Sequence, residues 1–590
     1  MIYNAPTKDM LFLLNEWLGL DKLTVLPGNE DFDADLLEAV LEEAGKFCST
    51  ELLTLNQTGD EHGAVHENGE VRTPPGFKEA YARFIENGWT GIDSNPEHGG
   101  QGLPRVVGFL IDEMLGATNL SFKLYSELSH GAYHLLDSVA SDEIRDRYLS
   151  KMVEGVWSGT MCLTEPQCGT DLGLLITKAT LTADSTHKIN GSKIFITSGD
   201  HDLTENILHL VIARIDGAPE GTRGISLFIV PKFLVNDDGS IGERNGVTTA
   251  SIEHKMGIRG SATCALNFDD ATGYLVGEEG RGLAAMFKMM NIERLTVGMQ
   301  GLGFSEIAYQ NALAYALDRV QSKAPAPRPD DSKAADPIAY QPEIKRQLLS
   351  IRSQVEGARA LAVFTGVHAD IMEKSEDDSI ATDAANTVAL LTPIIKSFCT
   401  DLALSSTLSA QQVFGGHGYI REHGMEQLVR DCRITQIYEG TNEVQALDLV
   451  SRKLTGKSGE FTNRFLAGWQ SYLKQQQEDD VVAISQPAEV ALQHLIEATD
   501  WIRARHESND AAVRGAATQY LRLFALTIIG CLWAQIVVAM RGKDGAFYDT
   551  KRKVARFYAQ QLLPETASLL KSICGGDDAL AEFRVADFSD

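Results

Sequence analysis

The hydrophobic pattern of this chain changes its period twice, and this change constrains the fold more than any other feature. From Asp31 to about Leu149 apolar residues recur at three- and four-residue spacing, which predicts helices. Near Trp157 the spacing becomes alternating, which predicts strands, and from Gly282 the helical spacing returns. The sequence therefore predicts helices, then a compact block of strands, then helices again.

The predicted elements and the breaks between them divide the 590 residues into four domains. Strands are predicted at residues 188–197, 207–215, 224–230 and 262–268, and helices after them at 312–317, 344–363 and 385–410. Residues 321–342, with five of the seventeen prolines, indicate an exposed connection, and residues 455–460 indicate a short linker. We predict a helical domain at 1–158, a β domain at 159–279, a helical bundle at 280–454 and an extra helical domain at 463–590.

Composition excludes several classes of function. The formal net charge of −28 argues against a nucleic-acid partner, because such a surface lacks the counterion-release term that supplies most of that affinity. An anionic small ligand remains compatible if local cations and backbone amides hold it. Eight cysteines without a C-x-x-C pair predict reduced, mostly buried thiols in a cytoplasmic protein, and no metal site is expected.

Two segments bear on membrane association. The N-terminal residues 1–20 have no small-residue cleavage site and are predicted to form a helix rather than a signal peptide. Residues 523–540 form an almost uninterrupted apolar run at the lower edge of transmembrane length. A helix buried inside a terminal bundle explains the run more simply, so we expect no integral membrane span, while peripheral membrane contact stays open.

Several motifs are ambiguous when they are taken singly. Residues 298–303 contain the glycines of a dinucleotide fingerprint but follow no strand, so close helix packing is the better interpretation. Residues 415–418 (GGHG) either cradle a phosphate or simply break a helix, and His417 alone is more often structural than a ligand. Glu439 alone is compatible with a solvated carboxylate near a helix start.

Four segments acquire a meaning when they occur together in this order. They are residues 161–171 (MCLTEPQCGTD), 193–197 (KIFIT), 412–419 (QVFGGHGY) and 433–443 (RITQIYEGTNE). On a chain of helices, strands and helices, this combination resembles the flavin-dependent acyl-CoA dehydrogenases over residues 73–453. The resemblance implies an N-terminal helical domain, a central β-barrel-like domain and a C-terminal four-helix bundle. The 195–206 segment and the extra C-terminal domain look most like a bacterial long-subunit branch of that family.

The resemblance implies a reaction that needs a base. An acyl-CoA dehydrogenase forms a trans-2,3-enoyl-CoA by removing an α-proton and transferring a β-hydride to the flavin N5. The α-proton is weakly acidic, so the site needs a carboxylate with a raised pKa and hydrogen bonds to the thioester carbonyl. By resemblance the base is Glu439, whose own N–H helps to hold that carbonyl. Tyr438 can exclude water beside it, and Gly440 permits close approach.

The resemblance also implies an FAD site and an acyl-CoA site. The residues that match the family's cofactor contacts are Met161, Leu163, Thr164, Gly169, Thr170, Phe195, Ile196, Thr197, Arg319, Gln412, Gly416, Thr441 and Glu443. Thr197 is expected near N5 and Thr164 at the isoalloxazine edge, whereas Gln412 and Gly416 are expected at the adenine half of a neighbouring subunit's FAD. The residues expected at the substrate are Asn291, Arg294, Tyr438 and Gly440, with Arg294 near the CoA part, although a helix-surface ion pair is the alternative for this arginine.

Two departures from the family pattern leave alternatives open. Phe195 stands where many relatives have tryptophan, so the route of electrons to the acceptor is less defined, and Arg319 lacks its usual signature. The leading hypothesis is a homodimeric dehydrogenase of a fatty acyl-CoA or of 3-methylthiopropanoyl-CoA that passes electrons to an electron-transfer flavoprotein. An acyl-CoA oxidase that uses O₂ and a non-catalytic acyl-CoA-binding protein are the competing hypotheses.

Overall fold

The computed structural model describes residues 1–575 and 577–589, which form two compact units. Unit 1 consists of Met1–Gly45, Pro104–Ala117 and Arg294–Asp590, and unit 2 consists of Lys46–Leu103 and Thr118–Glu293. Two long helices contribute residues to both units. The first of these is interrupted at Asn119, whose φ of −159° and ψ of 86° are not helical. The Asn119 side chain accepts the N–H of Phe122 at 3.0 Å and so caps the second half of the helix.

The helices that precede the strands confirm the helical prediction for this part of the chain. They are α1 Thr7–Leu11, α2 Asp21–Thr24, α3 Ala34–Phe47, α4 Leu53–His62, α5 Phe77–Glu86, α6 Arg105–Val139 and α7 Asp142–Val153. Two π-helical segments, Phe12–Leu18 and Cys48–Leu52, continue α1 and α3. The sequence analysis missed one element here, a small hairpin of β1 Val65–Glu67 and β2 Glu70–Arg72, because its strands are too short to produce a periodic pattern.

The central block is a closed β structure in unit 2. Its strands are β3 Trp157–Cys162, β4 Lys178–Leu181, β5 His187–Thr197, β6 Asn206–Ile215, β7 Ile225–Pro231, β10 Val247–Ile252 and β11 Thr263–Val276. Strand β7 pairs with both β6 and β11, so the order β11–β5–β4–β6–β7 returns to β11 and closes a barrel. A separate hairpin pairs β8 Phe233–Val235 with β9 Ile241–Arg244. The four predicted strands and the predicted fold class are confirmed.

The remaining helices follow the barrel. They are α8 Gly282–Asp318, α9 Pro342–Lys374, α10 Asp378–Phe414, α11 Met425–Cys432, α12 Asn442–Asp448, α13 Gly456–Lys474, α14 Asp479–Arg505, α15 Asp510–Ala539, α16 Ala546–Gln561, α17 Glu565–Gly575 and α18 Asp577–Glu582. Local chemistry explains where two of them start. Asp377 accepts the N–H groups of Ser379 and Ile380 at 2.9 and 3.1 Å to cap α10. Pro342 occupies the first turn of α9, where no N–H is needed.

The structure corrects one predicted boundary and confirms two interpretations. Residues 455–460 are not a linker, because α13 already begins at Gly456 after the extended Thr455. The glycines of residues 298–303 serve close packing as expected. A Cβ at Gly301 would lie 2.5 Å from the Cys399 carbonyl oxygen, and one at Gly303 would lie 2.4 Å from that of Glu113. Residues 321–342 form the predicted irregular connection, apart from a single 3₁₀ turn at Ile338–Tyr340 and Pro342, which already begins α9.

Two helices of the described residues are long and apolar enough to cross a membrane. One comprises residues Asp378–Tyr419 and the other Asp510–Ala539, and their apolar windows are 78% and 83% buried inside the protein. That degree of burial is typical of core helices. The apolar run at residues 523–540 is therefore part of a packed interior, as the sequence analysis expected.

A buried ion network ties the extra C-terminal helices into unit 1. Arg359 on α9 contacts Asp9 at 2.7 Å and both Glu113 and Glu306 at 2.6 Å. Lys551 on α16 contacts Glu356 at 2.8 Å and also Asp9. We call these residues the Arg359 network. Burial lowers the pKa of Arg359, but the surrounding carboxylates outweigh it and hold the pKa well above its usual value.

Candidate active site

The segment that carries Glu439 is a strained turn in unit 1. It follows the 3₁₀ segment Arg433–Gln436, and the Tyr438 N–H donates to the Ile434 carbonyl at 3.1 Å. Glu439 has a φ of 57° and Gly440 a φ of 81°, so two successive residues adopt the left-handed conformation. A glutamate rarely adopts this conformation, and such strain concentrates at functional sites. The left-handed backbone of this turn therefore fixes the direction in which the Glu439 side chain projects.

Neighbouring side chains hold this turn in place. Gln445 on α12 donates to the carbonyl oxygens of Glu439 at 3.0 Å and Gly440 at 3.3 Å. A Cβ at Gly440 would lie 2.8 Å from the same amide nitrogen, so a side chain at this position would displace it. Thr441 caps α12 by accepting the Val444 N–H at 3.4 Å, and Tyr438 donates its hydroxyl to Gln300. Hydrogen bonds of Tyr438 before the turn, and of Thr441 and Gln445 after it, thus hold the turn in place.

A lysine that the sequence analysis missed lies beneath this turn. Lys396 on α10 has no exposed surface, and its Nζ donates to the Asn442 amide oxygen at 2.9 Å. Burial lowers its pKa to about 7, against the opposing influence of Glu439 and Asp401. The available signal was a lysine inside the apolar run of residues 390–403, where a charge is costly without a role.

Arg294 is buried rather than part of a surface ion pair, since it is 9% exposed. Burial lowers its pKa, while the charges of Asp448 and Glu439 raise it. Arg294 and Lys396 therefore both act electrostatically on Glu439 from within unit 1. Two positive charges near a carboxylate favour its ionised form, whereas burial favours its protonated form.

In unit 2 the predicted flavin residues gather at a bulge in β5. Ile194 and Phe195 together oppose the single residue Ala265, and Phe195 has a φ of 59°. The bulge turns the phenyl ring outward, so that it is 59% exposed although its strand is central to the barrel. Thr197 follows two residues later, paired with Thr263 of β11. An exposed aromatic ring on a strained residue indicates a binding surface.

The segment that carries Thr164 is fixed to this bulge. The Ile194 N–H donates to the Thr164 carbonyl at 2.9 Å. The buried Lys193 bridges Glu165 at 2.8 Å and the Leu163 carbonyl at 3.0 Å. Burial would raise the pKa of Glu165, but Lys193 and N–H donors lower it to about 2. Glu165 is therefore a structural anion that brings Thr164 beside Phe195.

The remaining predicted residues lie in less defined surroundings. Met161 is the last but one residue of β3, Leu163 and Ile196 are buried, and Gly169 and Thr170 are exposed in the loop after β3. Asn291, Arg319, Gln412, Gly416 and Glu443 are all exposed. Residues 415–419 form a 3₁₀ turn that ends α10, and His417 accepts or donates a 2.7 Å hydrogen bond with Tyr315. The structure therefore assembles two local groups, the Glu439 turn and the Phe195 bulge, and leaves the adenine-site prediction untested.

Family models match four consecutive parts of the chain. The acyl-CoA dehydrogenase N-terminal domain matches residues 35–156, the middle domain 160–271 and the C-terminal domain 280–454. A fourth model, acetyl-CoA dehydrogenase C-terminal like, matches residues 464–584. The chain belongs to the acyl-CoA dehydrogenase family, and it is an oxidoreductase that acts on the CH–CH group of acyl-CoA substrates.

Two curated relatives match almost the whole chain, and the match includes the region of the extra domain. The 3-methylmercaptopropionyl-CoA dehydrogenase of Ruegeria pomeroyi is 39% identical over 98% of this chain and 99% of its own length. A butyryl-CoA dehydrogenase of Syntrophomonas wolfei is 35% identical over 97% of both chains. An acyl-CoA dehydrogenase of Bacillus anthracis, solved in complex with FAD, superposes with a TM-score of 0.76 at 22% identity over 98% of this chain and 93% of that one.

Proposed function

We propose that this protein is an FAD-dependent acyl-CoA dehydrogenase in which Glu439 is the catalytic base. The observation that carries the proposal is the left-handed conformation of Glu439, held by Gln445 and placed under the influence of Arg294 and Lys396. A surface carboxylate needs neither the strain nor the buried cations. A proton acceptor needs a fixed position, which this turn supplies, and a pKa set by its neighbours, which include these two cations.

The residues around the β5 bulge fit a flavin. A ring system needs a flat apolar surface and a few hydroxyl or N–H donors along its polar edge. Phe195 offers the exposed aromatic face, and the nearby Thr164 and Thr197 offer hydroxyl groups. The family includes a member solved with FAD, which supports the same cofactor here. When bound, FAD supplies the acceptor for the two electrons of the β-hydride.

The chain's own residues perform the proton chemistry. A Glu439 carboxylate oxygen takes the α-proton of the acyl thioester as the β C–H bond breaks, so that the substrate loses two hydrogens and gains a 2,3-double bond. The Glu439 backbone N–H holds the thioester carbonyl, where negative charge develops. Tyr438 lies beside the base and limits access of water, which strengthens both interactions. Arg294 attracts the anionic CoA part.

The substrate is either 3-methylthiopropanoyl-CoA or a fatty acyl-CoA. The 39% identity to the Ruegeria enzyme favours the first, and the identities of 35% and 31% to a butyryl-CoA dehydrogenase and a broad-specificity linear acyl-CoA dehydrogenase favour the second. We propose an electron-transfer flavoprotein as acceptor. A related chain, 26% identical, occurs in a solved structure of the electron transferring flavoprotein of Acidaminococcus fermentans. A cytoplasmic homodimer remains our expectation.

Anaerobic titration of the purified yellow protein tests this function. Bleaching of the flavin is expected with 3-methylthiopropanoyl-CoA or with one range of fatty acyl-CoA lengths, and the panel identifies which. A protein that stays colourless when FAD is supplied would revive the acyl-CoA-binding alternative. Stoichiometric hydrogen peroxide in air would instead identify an oxidase.

A further inference from the structure

Three side chains of unit 2 point their ligand atoms at one place, and none of them belongs to the Glu439 turn or the Phe195 bulge. Asp93 follows the 3₁₀ segment Trp89–Gly91, and His130 and His134 lie one turn apart on the second half of α6. Asp93 Oδ1 lies 2.6 Å from His130 Nε2 and 3.6 Å from His134 Nε2, and the two Nε2 atoms are 3.0 Å apart. The Asp93 side chain is only 3% exposed.

The protonation of the two rings decides what this group of side chains can do. A ring nitrogen of histidine has one in-plane position, which holds either a hydrogen or a lone pair. When His130 Nε2 carries its hydrogen, it donates to Asp93, and the His134 Nε2 lone pair faces the same N–H. When both rings carry their hydrogens on Nδ1, both Nε2 lone pairs face the Asp93 carboxylate instead. In that second state three lone-pair donors converge on one place, which is the arrangement that a metal cation requires.

The spacing of the ligand atoms suits a tetrahedral metal ion. Metal–ligand distances of about 2.0–2.2 Å, as in zinc sites, separate neighbouring ligand atoms by about 3.3–3.6 Å. The separations of 2.6, 3.0 and 3.6 Å reach this range after small side-chain movements. Two imidazoles and one carboxylate are a ligand set that zinc and other first-row divalent ions prefer, whereas calcium and magnesium prefer oxygen alone.

The surroundings hold the ligands and leave room for a fourth. The Asn95 N–H and His98 Nδ1 both bond the Tyr133 hydroxyl at 3.0 Å, which fixes the Asp93 loop against α6 beside His134. A small cavity reaches His130, with Ser94, Ser126 and Tyr133 also in its lining, and it has room for about one water molecule. A water there would complete four-coordination.

We propose that Asp93, His130 and His134 bind one zinc-type divalent cation, with water as the fourth ligand. The ion cross-links the 91–98 loop to α6 and so stabilises the helical part of unit 2. Neither the charge pattern nor the sequence spacing predicted it, because Asp93 lies far from the two histidines in sequence. This site is independent of the base and the flavin residues proposed above.

Metal analysis of the full-length holoenzyme, with any affinity tag removed, tests the proposal. We expect about one zinc per chain after dialysis, and visible d–d absorption after replacement by cobalt, which reports tetrahedral nitrogen and oxygen ligands. Chelation should lower the melting temperature, and added zinc should restore it. Wild-type protein that binds neither zinc nor cobalt, with no change in melting temperature, would overturn the proposal.

Matched variants locate the ion. His134→Asn and Asp93→Asn should lose the zinc and the cobalt spectrum, whereas His98→Asn should keep both, because His98 contacts Tyr133 and lies outside the ligand set. Should His134→Asn fail to fold, the cobalt spectrum of wild-type protein still decides whether imidazole nitrogen coordinates the metal. Equal zinc content in His98→Asn and a folded His134→Asn would place the metal elsewhere and refute the assignment.

Discussion

The Arg359 network and Lys396 both place cations in the interior of unit 1, but the cations have different partners and opposite pKa shifts. In the Arg359 network each cation contacts at least two carboxylates directly, and the pKa values of Arg359 and Lys551 are raised. Lys396 donates instead to the neutral amide of Asn442, and its pKa falls to about 7. Direct carboxylate contacts keep a buried cation permanently charged, which suits a structural role. A cation that faces an amide titrates near neutral pH, which suits a role in proton chemistry.

The largest expected effect is that of replacing Glu439, the carboxylate that interacts electrostatically with Lys396. Glu439→Gln should keep its yellow FAD and its stability but bleach about 10²–10⁴-fold more slowly with acyl-CoA, because the proton acceptor is lost. Stopped-flow absorbance under anaerobic conditions measures this rate. Glu422→Gln, in the nearby 3₁₀ segment Arg421–His423, is the control and should react normally. Near wild-type bleaching by Glu439→Gln would assign the base to another residue.

The Arg359 network should show the opposite profile, with a loss of stability rather than of chemistry. Arg359→Met leaves buried carboxylates without their partner, and removing one member of a buried pair costs about 3–5 kcal/mol. Urea unfolding measures the change. Arg346→Met removes an exposed ion pair with Glu343 and should leave the unfolding midpoint unchanged. Equal midpoints for the two variants would contradict the structural role of the network.

Lys396 should act through the pKa of Glu439. Lys396→Met removes a positive charge that favours ionised Glu439, so the pKa of the base rises. The acid limb of kcat/KM against pH should therefore move to higher pH. At a pH below the limb, each unit of this shift lowers kcat/KM about tenfold. Lys396→Arg keeps the charge and should leave the limb in place. A uniform loss of kcat without any shift of the limb would indicate a purely structural lysine.

The same lysine predicts how stability depends on pH. Its folded pKa of about 7 lies below the unfolded value of 10.5, so between these values the unfolded chain binds more protons than the folded chain. Stability contributed by this group therefore rises with pH from about 7 to 10.5 and is lowest below 7. As pH rises across this window, the unfolding free energy of wild type should increase relative to that of Lys396→Met. A pH-independent difference would refute the lowered pKa.

The smallest expected effect concerns the strained backbone at Phe195 in the β5 bulge. Phe195→Gly relieves a left-handed φ of 59° and removes a ring that is 59% exposed, so stability should rise slightly, by about 0.5–1 kcal/mol. Flavin affinity should fall, because the aromatic face is lost. Thermal unfolding of the FAD-free protein and FAD titration measure the two effects. A destabilised variant with unchanged FAD affinity would show that the bulge serves the barrel alone.

Much of the fold and part of the candidate site could be predicted from the sequence. The period change identified the helices and four of the five barrel strands because burial on one face imposes a repeat on the local sequence, whereas the short strand β4 was missed. The motif order identified the segments that contain Glu439 and Phe195, since both are continuous, but the left-handed turn and the bulge were found only in the structure. The start of α13 was missed because a glycine-rich stretch, normally a breaker, is helical here through packing.

The sequence by itself determined the order of the elements, the family and the local segments that carry Glu439, Thr164 and Thr197. Only the tertiary structure decided that Lys396 lies beneath the Glu439 turn, that Arg359 gathers carboxylates from three other helices, and that Asp93 meets His130 and His134. The physical reason is that local pattern records which face of an element is buried. It does not record which distant side chains share that buried space, and their shared surroundings set each charge, pKa and ligand set.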